Sequence, residues 1–480
     1  MGAGLRAKPR LTRTGPAPAV GIVHLGPGAF FRGFNAVYTD EAMARAGGDW
    51  GIVAVSLRSA AARDQLEPQG GVFTSVTIDP SGWQPRLVRS IVRTLVAPED
   101  PQAVIAVMAD PGVKIVSLTI TEKGYCNQPS TGALDVENPD IAHDLPHPDA
   151  PRSAVGFIVA ALDARRRAGA KPFTVLSCDN LPSNGAVARA SVIEFARHRD
   201  AGLADWIART TTFPSTMVDR ITPATTQDDI TKLAELTGYH DEACVFHEGF
   251  RQWVIEDAFV DGRPAWDATF VKSVAAHEAM KLRCLNGTHS TLAYLGYLAG
   301  YETIADTVAD PDFAALCDRL WRDEIIATLE QPDAEDLPAY CAALMERYTN
   351  TAIRHRTWQI AMDGSQKLPQ RLLGTIADTL QTGRDPKGLV LAVAAWMRYV
   401  GGRDENGQTI DVRDPLAIAL KEASEGAQTT ADTVAALLAF CDIFPDALAR
   451  DLRFRELVIM AYQSIADLGA KGAVRAFVTT

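Results

Sequence analysis

Residues 21–34 read GIVHLGPGAFFRGF, an apolar run that leads directly into a glycine-containing turn and a helical pattern. The run GIVHL has the length and composition of a buried strand, and Gly26 and Gly28 follow it at once. A strand that ends in such a turn can present backbone amides to a phosphate group. The spacing departs from GxGxxG, with Phe31 at the third position, so an ordinary tight turn stays open as the alternative.

Short apolar runs and helical patterns alternate as far as about residue 275. We expect strands at 21–25, 51–57, 113–121 and 172–178, and helices near 33–46, 99–109, 153–169 and 185–199. This alternation is typical of a doubly wound parallel sheet covered by crossover helices. The sequence therefore predicts a Rossmann-like dinucleotide-binding domain over residues 1–275.

The pattern changes after residue 275 to long helical periodicities separated by short breaks. Helices are expected at 276–300, 311–328, 335–348, 387–400 and 430–442. No β-branched alternation interrupts them, so residues 276–480 are predicted to form a mostly α-helical substrate and catalytic domain. The expected fold class is α/β with a helical C-terminal domain.

Composition excludes several classes of protein. The 480 residues include 47 Lys and Arg against 59 Asp and Glu, and the net charge of -12 gives nucleic acid no general attraction. The longest apolar run, at 388–397, is half of the roughly 20 residues that a membrane-spanning helix needs. The 7 scattered cysteines indicate neither a disulfide framework nor a thiolate metal site, which favours the cytoplasm. The first 19 residues are expected to be a loose tail.

The end of the second predicted strand bears on the choice of cofactor. NAD-binding domains often place an acid there, next to the adenosine ribose. Here the chain reads SLRSAAARD, with Arg58 and no carboxylate before Asp64. Arg58 can accept the 2′-phosphate of NADP, stack on the adenine or be a solvated surface arginine, and these alternatives stay open.

Polar groups are concentrated in HEAMKLRCLNGTHS, residues 277–290, which contains Glu278, Lys281, Asn286 and His289. At α-helical spacing Asn286 lies about 140° and His289 about 80° around the axis from Lys281, so one broad face holds all three. A lysine among apolar neighbours is desolvated, which lowers its pKa and suits it to act as a base. A snorkelling surface lysine and a satisfied core histidine are the structural alternative.

Two segments of the N-terminal half carry further candidates. SCDNLPSNG, residues 177–185, puts Asp179 and Asn180 after a strand, where open α/β sheets bind ligands; an Asx-turn and helix cap explain them equally well. FPSTMVDRITPATT, residues 213–226, contains Asp219 and Arg220, either a structural ion pair or substrate contacts.

The C-terminal half contains one basic stretch in an otherwise acidic chain. RHRTWQIAMDGSQKLPQR, residues 354–371, brings together Arg354, His355, Arg356, Lys367 and Arg371. This local excess suits an anionic substrate, and a solvated basic face is the alternative.

These segments, with SLTITEKGY (117–125), FRQWVIED (250–257) and WMRY (396–399), resemble the polyol-specific long-chain dehydrogenase family, also called the mannitol dehydrogenase family. The resemblance covers about residues 20–400, and within the family it is strongest to the D-mannonate oxidoreductase branch. It implies metal-independent hydride transfer at a secondary alcohol of a linear sugar acid, interconverting D-mannonate and D-fructuronate. NAD is the implied cofactor, although the residues themselves do not exclude NADP.

The resemblance also assigns roles to single residues. Lys281 corresponds to the catalytic acid/base, Asn180 and Asn286 to polarising asparagines, His289 to the orienting histidine and Glu278 to a proton-relay glutamate. Cofactor contacts are expected at Gly26, Gly28, Phe31 and Arg58, and substrate contacts at Asp219, Arg356, Gln359 and Lys367.

One position departs from the mannitol enzymes of this family. Their pattern R-I-A-M-D-G-S-x-K has an arginine where this chain has Gln359, which argues against mannitol. A mannitol or arabinitol 2-dehydrogenase and a non-catalytic nicotinamide-binding sensor stay open as alternatives. The expected partner is a small sugar acid or polyol, not nucleic acid or a membrane, and the expected state is a monomer or small homo-oligomer.

Overall fold

The computed structural model describes residues 8–128 and 132–480. It divides the chain into two compact units, Met1–Ala275 and Ala276–Thr480. The first unit is α/β and the second is helical, as the alternation and periodicity of the sequence predicted.

The strands of the described chain all lie in the first unit. They are β1 Val20–Leu25, β2 Gly51–Ser56, β3 Phe73–Asp79, β4 Gly82–Val88, β5 Ile91–Val96, β6 Ile115–Leu118, β7 Thr174–Ser177, β8 Thr216–Asp219, β9 Val245–Glu248, β10 Gln252–Glu256 and β11 Thr269–Val271. The main sheet is parallel, with the order β5-β2-β1-β6-β7. Every residue of β2, β6 and β7 is buried, because helices cover both faces of the sheet.

The helices of this unit connect and cover the strands. They are α1 Ala29–Gly33, α2 Asn35–Ala46, α3 Ala61–Leu66, α4 Pro101–Ala109, α5 Pro139–Asp144, α6 Ala154–Arg167, α7 Asn184–Arg199, α8 Ala201–Thr210 and α9 Gln227–Thr237. From β1 the chain moves outward through β2 to β5 and then returns to β6 and β7 on the other side. The order in which successive strands are added to the sheet therefore reverses between β1 and β6. Open α/β sheets bind ligands at the carboxyl ends of the strands beside such a point.

Two small sheets were not predicted from the sequence. One has the order β4-β3-β9 and the other β11-β10-β8, and each contains an antiparallel pair. Their strands are short or partly exposed, so they lack the continuous apolar runs that reveal the parallel strands.

The prediction of a loose N-terminal tail was wrong for its described part. The amide of Leu11 donates to the carbonyl of His240, and the amide of His240 donates to that of Pro9. Arg13 donates to the carbonyls of Gly70 and Arg89. These contacts lie more than fifty residues away in sequence, so local composition does not reveal them. Residues 1–7 lie outside the described chain.

The second unit is built from helices. They are α10 Ala275–Met280, α11 Thr288–Leu298, α12 Ile304–Ala309, α13 Pro311–Arg319, α14 Leu337–Tyr348, α15 Thr357–Ala361, α16 Gly364–Leu368, α17 Gly374–Gln381, α18 Lys387–Val400, α19 Ala417–Glu425, α20 Thr430–Leu438, α21 Asp446–Ala449 and α22 Leu452–Thr479. Three π-helical segments interrupt them, at Lys281–Gly287, Leu320–Ile325 and Pro369–Leu373. Across the described residues, no helix is both long and apolar enough to span a membrane.

Candidate active site

The glycine turn after β1 lies at the point where the order of the strands in the sheet reverses. Gly26 has a φ of 93°, and its amide donates to the carbonyl of Val55 in β2 at 3.0 Å. A Cβ at Gly26 would lie 2.2 Å from the carbonyl oxygen of Thr119, so only glycine fits there. At Gly28 the nearest atom to an added Cβ is 4.0 Å away, which leaves the turn open to a large ligand. This geometry fits a dinucleotide cofactor.

His24 and Phe31 support the turn from beneath. Their rings stack with centroids 3.6 Å apart, and both side chains are fully buried. His24 Nδ1 pairs with Ser117 Oγ at 2.8 Å, and Nε2 lies 2.9 Å from Thr119 Oγ1. Burial lowers the pKa of His24 to about 3, so the ring is neutral near pH 7. Phe31, expected to be a cofactor contact, is fully buried and packs against His24.

Arg58 follows the carboxyl end of β2 and pairs with Asp140 of α5. Arg58 Nη1 lies 3.4 Å from Asp140 Oδ1, and Nη2 donates to Oδ2. The hydrogen bond to Asp140 raises the pKa of Arg58. Asp64, the first acid after the strand in sequence, pairs instead with Arg63 at 2.8 Å. The carboxylate beside Arg58 is therefore supplied by a residue 82 positions away.

Asp179 anchors the loop that follows β6. Its carboxylate accepts the amides of Ile120 and Thr121 at 3.2 and 2.7 Å and the hydroxyl of Tyr125 at 2.7 Å. Burial raises the pKa of Asp179, and these donors oppose that shift. Thr121 is held at φ 65° and ψ 167°, a region that β-branched residues avoid. The exposed Asn180 follows Asp179 at the carboxyl edge of the sheet.

Asp219 and Arg220 lie at the end of β8, and Asp219 is buried. Arg220 donates to the carbonyl of Gly33 at 2.6 Å and to that of Glu248 at 3.2 Å. Burial lowers the pKa of Arg220 to about 10. The arginine therefore ties the end of α1 to β9.

Lys281 begins the π-helix Lys281–Gly287, so the α-helical spacing expected for this segment was wrong. A π-helix closes its turns with i→i+5 hydrogen bonds, which places residues five apart above one another. Lys281 and Asn286 have this separation and therefore share one face more closely than an α-helix allows. Lys281 is buried, Asn286 and Glu278 are half-buried, and His289 follows in α11.

Side chains from neighbouring helices stabilise the wide π-helical turns. The carbonyl of Cys284 accepts Thr288 Oγ1 at 2.6 Å and Trp321 Nε1 at 2.9 Å. The carbonyl of Leu285 accepts the hydroxyl of Tyr348 at 3.0 Å. Because these carbonyls have partners, the departure from α-helical geometry leaves them satisfied.

His289 is buried among aromatic and basic side chains. Its ring centroid lies 4.4 Å from that of His355 and 5.6 Å from that of Tyr348. Nε2 of His289 is buried and has no hydrogen-bond partner. Burial holds the pKa of His289 well below its usual range, and the nearby His355, Arg371, Arg347 and Lys367 add to this effect. The second unit therefore holds a neutral histidine in a strongly basic environment.

Lys367 and Arg371 belong to this environment. Lys367 Nζ donates to the carbonyl of Met362 at 2.5 Å, and Arg371 Nη1 donates to Ser290 Oγ at 3.1 Å. Ser290 is the residue after His289, so Arg371 reaches the helix that carries the histidine. Both basic side chains are half-buried.

The other members of the basic stretch lie at the surface. Arg354 and Arg356 are 67% and 56% exposed and share Glu302, at 3.0 and 3.8 Å. Gln359 is also exposed. The structure therefore separates the stretch into exposed residues and a group near His289 made of His355, Lys367 and Arg371. Arg347 lies outside the stretch but belongs to the same group, and it was not named from the sequence because a single arginine far from the motif gives no signal of its own.

The described chain contains no group of three or more acidic, histidine or cysteine side chains suited to hold a metal ion.

Comparison with known proteins identifies the family. Residues 20–268 match the model of the mannitol dehydrogenase Rossmann domain, and residues 273–466 match that of the mannitol dehydrogenase C-terminal domain. D-mannonate oxidoreductase of Escherichia coli (strain K12) is 47% identical over 462 residues, 95% of each chain. Mannitol 2-dehydrogenase of Cereibacter sphaeroides is 40% identical over 463 residues, 95% of this chain and 96% of the relative.

A solved structure has the same fold throughout. Pseudomonas fluorescens mannitol 2-dehydrogenase, in a ternary complex with NAD and D-mannitol, has a TM-score of 0.85 and 39% identity, covering 96% of this chain and 95% of its own. The two domain matches and these relatives define a dehydrogenase that acts on a CH–OH group with NAD. The chain belongs to the mannitol dehydrogenase family.

Proposed function

We propose that this enzyme interconverts D-mannonate and D-fructuronate by NAD-dependent hydride transfer at carbon 5. The observation that carries the proposal is the group of cationic side chains near His289, namely Arg347, Lys367 and Arg371. A carboxylate removed from water needs cationic partners, whereas the terminal hydroxyl of a polyol does not. The similarity to a D-mannonate oxidoreductase supports the same substrate class.

In the proposed mechanism, Lys281 acts as the acid/base. During oxidation its neutral amine accepts the hydroxyl proton, while the bound nicotinamide supplies the hydride acceptor. Asn286 donates a hydrogen bond to the oxygen on which charge develops, a contribution of about 3 kcal/mol for such donors. His289 orients that oxygen, and its depressed pKa keeps the ring neutral so that one nitrogen can accept a hydrogen bond. The resemblance gives Asn180 a donor role, Glu278 a proton-relay role and Asp219 a substrate contact.

The second candidate is a mannitol or arabinitol 2-dehydrogenase. It is favoured by the mannitol 2-dehydrogenases at 37–40% identity and by the solved structure with D-mannitol. The exposed Gln359, in place of the arginine of the mannitol pattern, argues against it.

A substrate panel tests the proposal. Initial rates with NADH are measured for D-fructuronate and D-fructose, and with NAD for D-mannonate, D-mannitol and D-arabinitol. We expect kcat/KM for fructuronate to exceed that for fructose by at least about 100-fold, the discrimination available to a paired buried charge. A higher kcat/KM for fructose would establish the polyol alternative, and no turnover of any substrate would favour the sensor.

A further inference from the structure

The end of β2 is the place where a dinucleotide-binding sheet reads the adenosine ribose. The amide of Gly26, in the glycine turn after β1, donates to the carbonyl of Val55 in β2. Val55 precedes Arg58 by three residues, so the end of β2 lies beside the glycine turn. The acid expected there is missing from the local sequence, and the first carboxylate that follows, Asp64, is engaged by Arg63. Arg58 is therefore the only charged residue between the end of β2 and Ala62.

A carboxylate from a distant part of the sequence, that of Asp140, nevertheless lies beside Arg58. Asp140 lies in the first turn of α5, where its amide donates to the side chain of Asn138 at 3.0 Å and Pro139 begins the helix. Its carboxylate meets the guanidinium of Arg58 through both oxygens. Arg58 is 69% exposed and Asp140 19% exposed, so the guanidinium is open to solvent while the carboxylate lies partly shielded beside it.

A second carboxylate, that of Asp144, acts on the pair. Asp144, four residues after Asp140, is fully buried, and its carboxylate accepts the amides of Arg152 and Ser153, each at 2.8 Å. Both Asp140 and Asp144 act electrostatically on Arg58. Asp140 contacts the guanidinium and Asp144 acts on it electrostatically, so two carboxylates weaken its attraction for the roughly two negative charges of a phosphate monoester. An uncharged ribose hydroxyl meets no such repulsion and can donate to a carboxylate.

We propose that Asp140 determines the preference for NAD, because it neutralises Arg58 and so removes the cation that would bind the 2′-phosphate of NADP. Arg58 is then neither a 2′-phosphate receptor nor an unpaired surface arginine. The role of Arg58 in cofactor selectivity therefore depends on the carboxylate of Asp140 in α5.

Binding of reduced cofactors to the enzyme without substrate tests the proposal directly. Dissociation constants for NADH and NADPH are measured by fluorescence titration for the wild type, Asp140→Ala, Arg58→Ala and the double variant. We expect Asp140→Ala to tighten NADPH at least 10-fold and to change NADH by less than 3-fold, because a free arginine forms charge-assisted hydrogen bonds with phosphate. The gain should disappear in the double variant and weaken at high salt.

Glu137→Ala is the matched control. It removes an exposed carboxylate three residues before Asp140 that makes no ion pair with Arg58, so the NADPH to NADH ratio should stay within 2-fold of wild type. The proposal is overturned if Asp140→Ala leaves that ratio unchanged, or if the gain survives in the double variant. It is also overturned if Asp140→Ala weakens NADH more than 10-fold without a gain for NADPH, since Asp140 would then contact the ribose directly.

Discussion

At the scale of single residues, Lys281 carries the chemistry of the proposed reaction. It is buried at the first position of the π-helix, and the resemblance makes it the acid/base. We expect Lys281→Ala to lower kcat by about 1,000-fold, since general acid–base catalysis contributes roughly 10²–10⁴-fold. NADH binding and the unfolding transition should remain close to wild type. The exposed Lys272 is the control, and Lys272→Ala should leave kcat unchanged. If kcat of Lys281→Ala fell by less than 10-fold, Lys281 would not be the acid/base.

Lys367 is the single residue best suited to pair with the acid end of the substrate. Lys367→Met removes a charge-assisted hydrogen bond of about 1.5–3 kcal/mol, so we expect KM for fructuronate to rise about 10- to 150-fold. The variant also loses the bond from Nζ to the carbonyl of Met362, but that loss affects both substrates. The ratio of KM for fructuronate to KM for fructose therefore isolates the contact with the carboxylate.

Arg354→Met serves as the comparison for Lys367→Met, because it removes a basic residue of the same stretch that is 67% exposed and paired with Glu302. We expect it to leave both KM values within 2-fold. An equal rise on fructuronate and fructose in Lys367→Met would mean that the lysine contacts a group common to both substrates.

At the scale of elements, the short helix α16 is held by close packing at its first residue. A Cβ at Gly364 would lie 2.4 Å from Trp396 Nε1 and 2.6 Å from the hydroxyl of Tyr294. Both rings are fully buried, so the surrounding side chains leave them little room to move away from an added methyl group. We expect Gly364→Ala to lower the free energy of unfolding by about 1–3 kcal/mol, the usual cost of overpacking. Urea denaturation measures the change.

Gly374, at the start of α17, provides the opposite case. It has helical backbone angles, is exposed, and an added Cβ would meet only the carbonyl of Pro369, at 3.9 Å. Gly374→Ala should therefore raise the free energy of unfolding by about 0.5–1 kcal/mol. If both substitutions changed stability equally, the close packing at Gly364 would not be what requires glycine there.

At the scale of the whole molecule, buried histidines make stability depend on pH. Burial lowers the pKa of His24 and His247 to about 3 and that of His355 to about 4, and the pKa of His289 is also depressed. Unfolding exposes these rings, which then bind protons below about pH 6.5. The unfolded state therefore binds more protons than the native state between about pH 4 and 6.5, and the free energy of unfolding must rise with pH in this range.

Glu324 opposes this trend in part. Burial raises its pKa from 4.5 to about 7, while its carboxylate accepts the amides of Gly388 and Leu389 at the start of α18. Its contribution to stability is present below about pH 4.5 and is lost as the pH rises through 7. Near pH 5 the effect of these histidines exceeds that of Glu324, so we expect a net uptake of protons on unfolding.

Urea denaturation between pH 4.5 and 8 measures the net proton uptake from the slope of the free energy of unfolding. We expect His355→Gln to reduce the uptake near pH 5 by about one proton, because it removes a histidine whose pKa in the native state is about 4. His198→Gln, at an exposed position of α7, should leave the slope unchanged. A slope near zero in the wild type would contradict the burial of neutral histidines.

Features that depend on neighbouring residues could be predicted from the sequence. The buried strands β1, β2, β6 and β7 were predictable because each is a continuous apolar run between helical patterns. The glycine turn was predictable because strand, glycines and helix follow one another within 14 residues. Lys281, Asn286 and His289 could be grouped as candidate site residues for the same reason, since a single helical stretch carries all three.

Contacts between residues that are distant in sequence could not be predicted and are seen in the folded chain alone. Asp140 reaches Arg58, His355 lies against His289, and Asp179 holds Thr121 in a strained conformation. The π-helix at Lys281 also depends on partners from other helices, because Trp321 and Tyr348 bond the carbonyls that its wide turns present. Periodicity records which face of an element is buried, but it holds no record of which element covers that face. Packing fixes which separate segments pair, and it brings Asp140 of α5 to Arg58 at the end of β2, where the two form an ion pair.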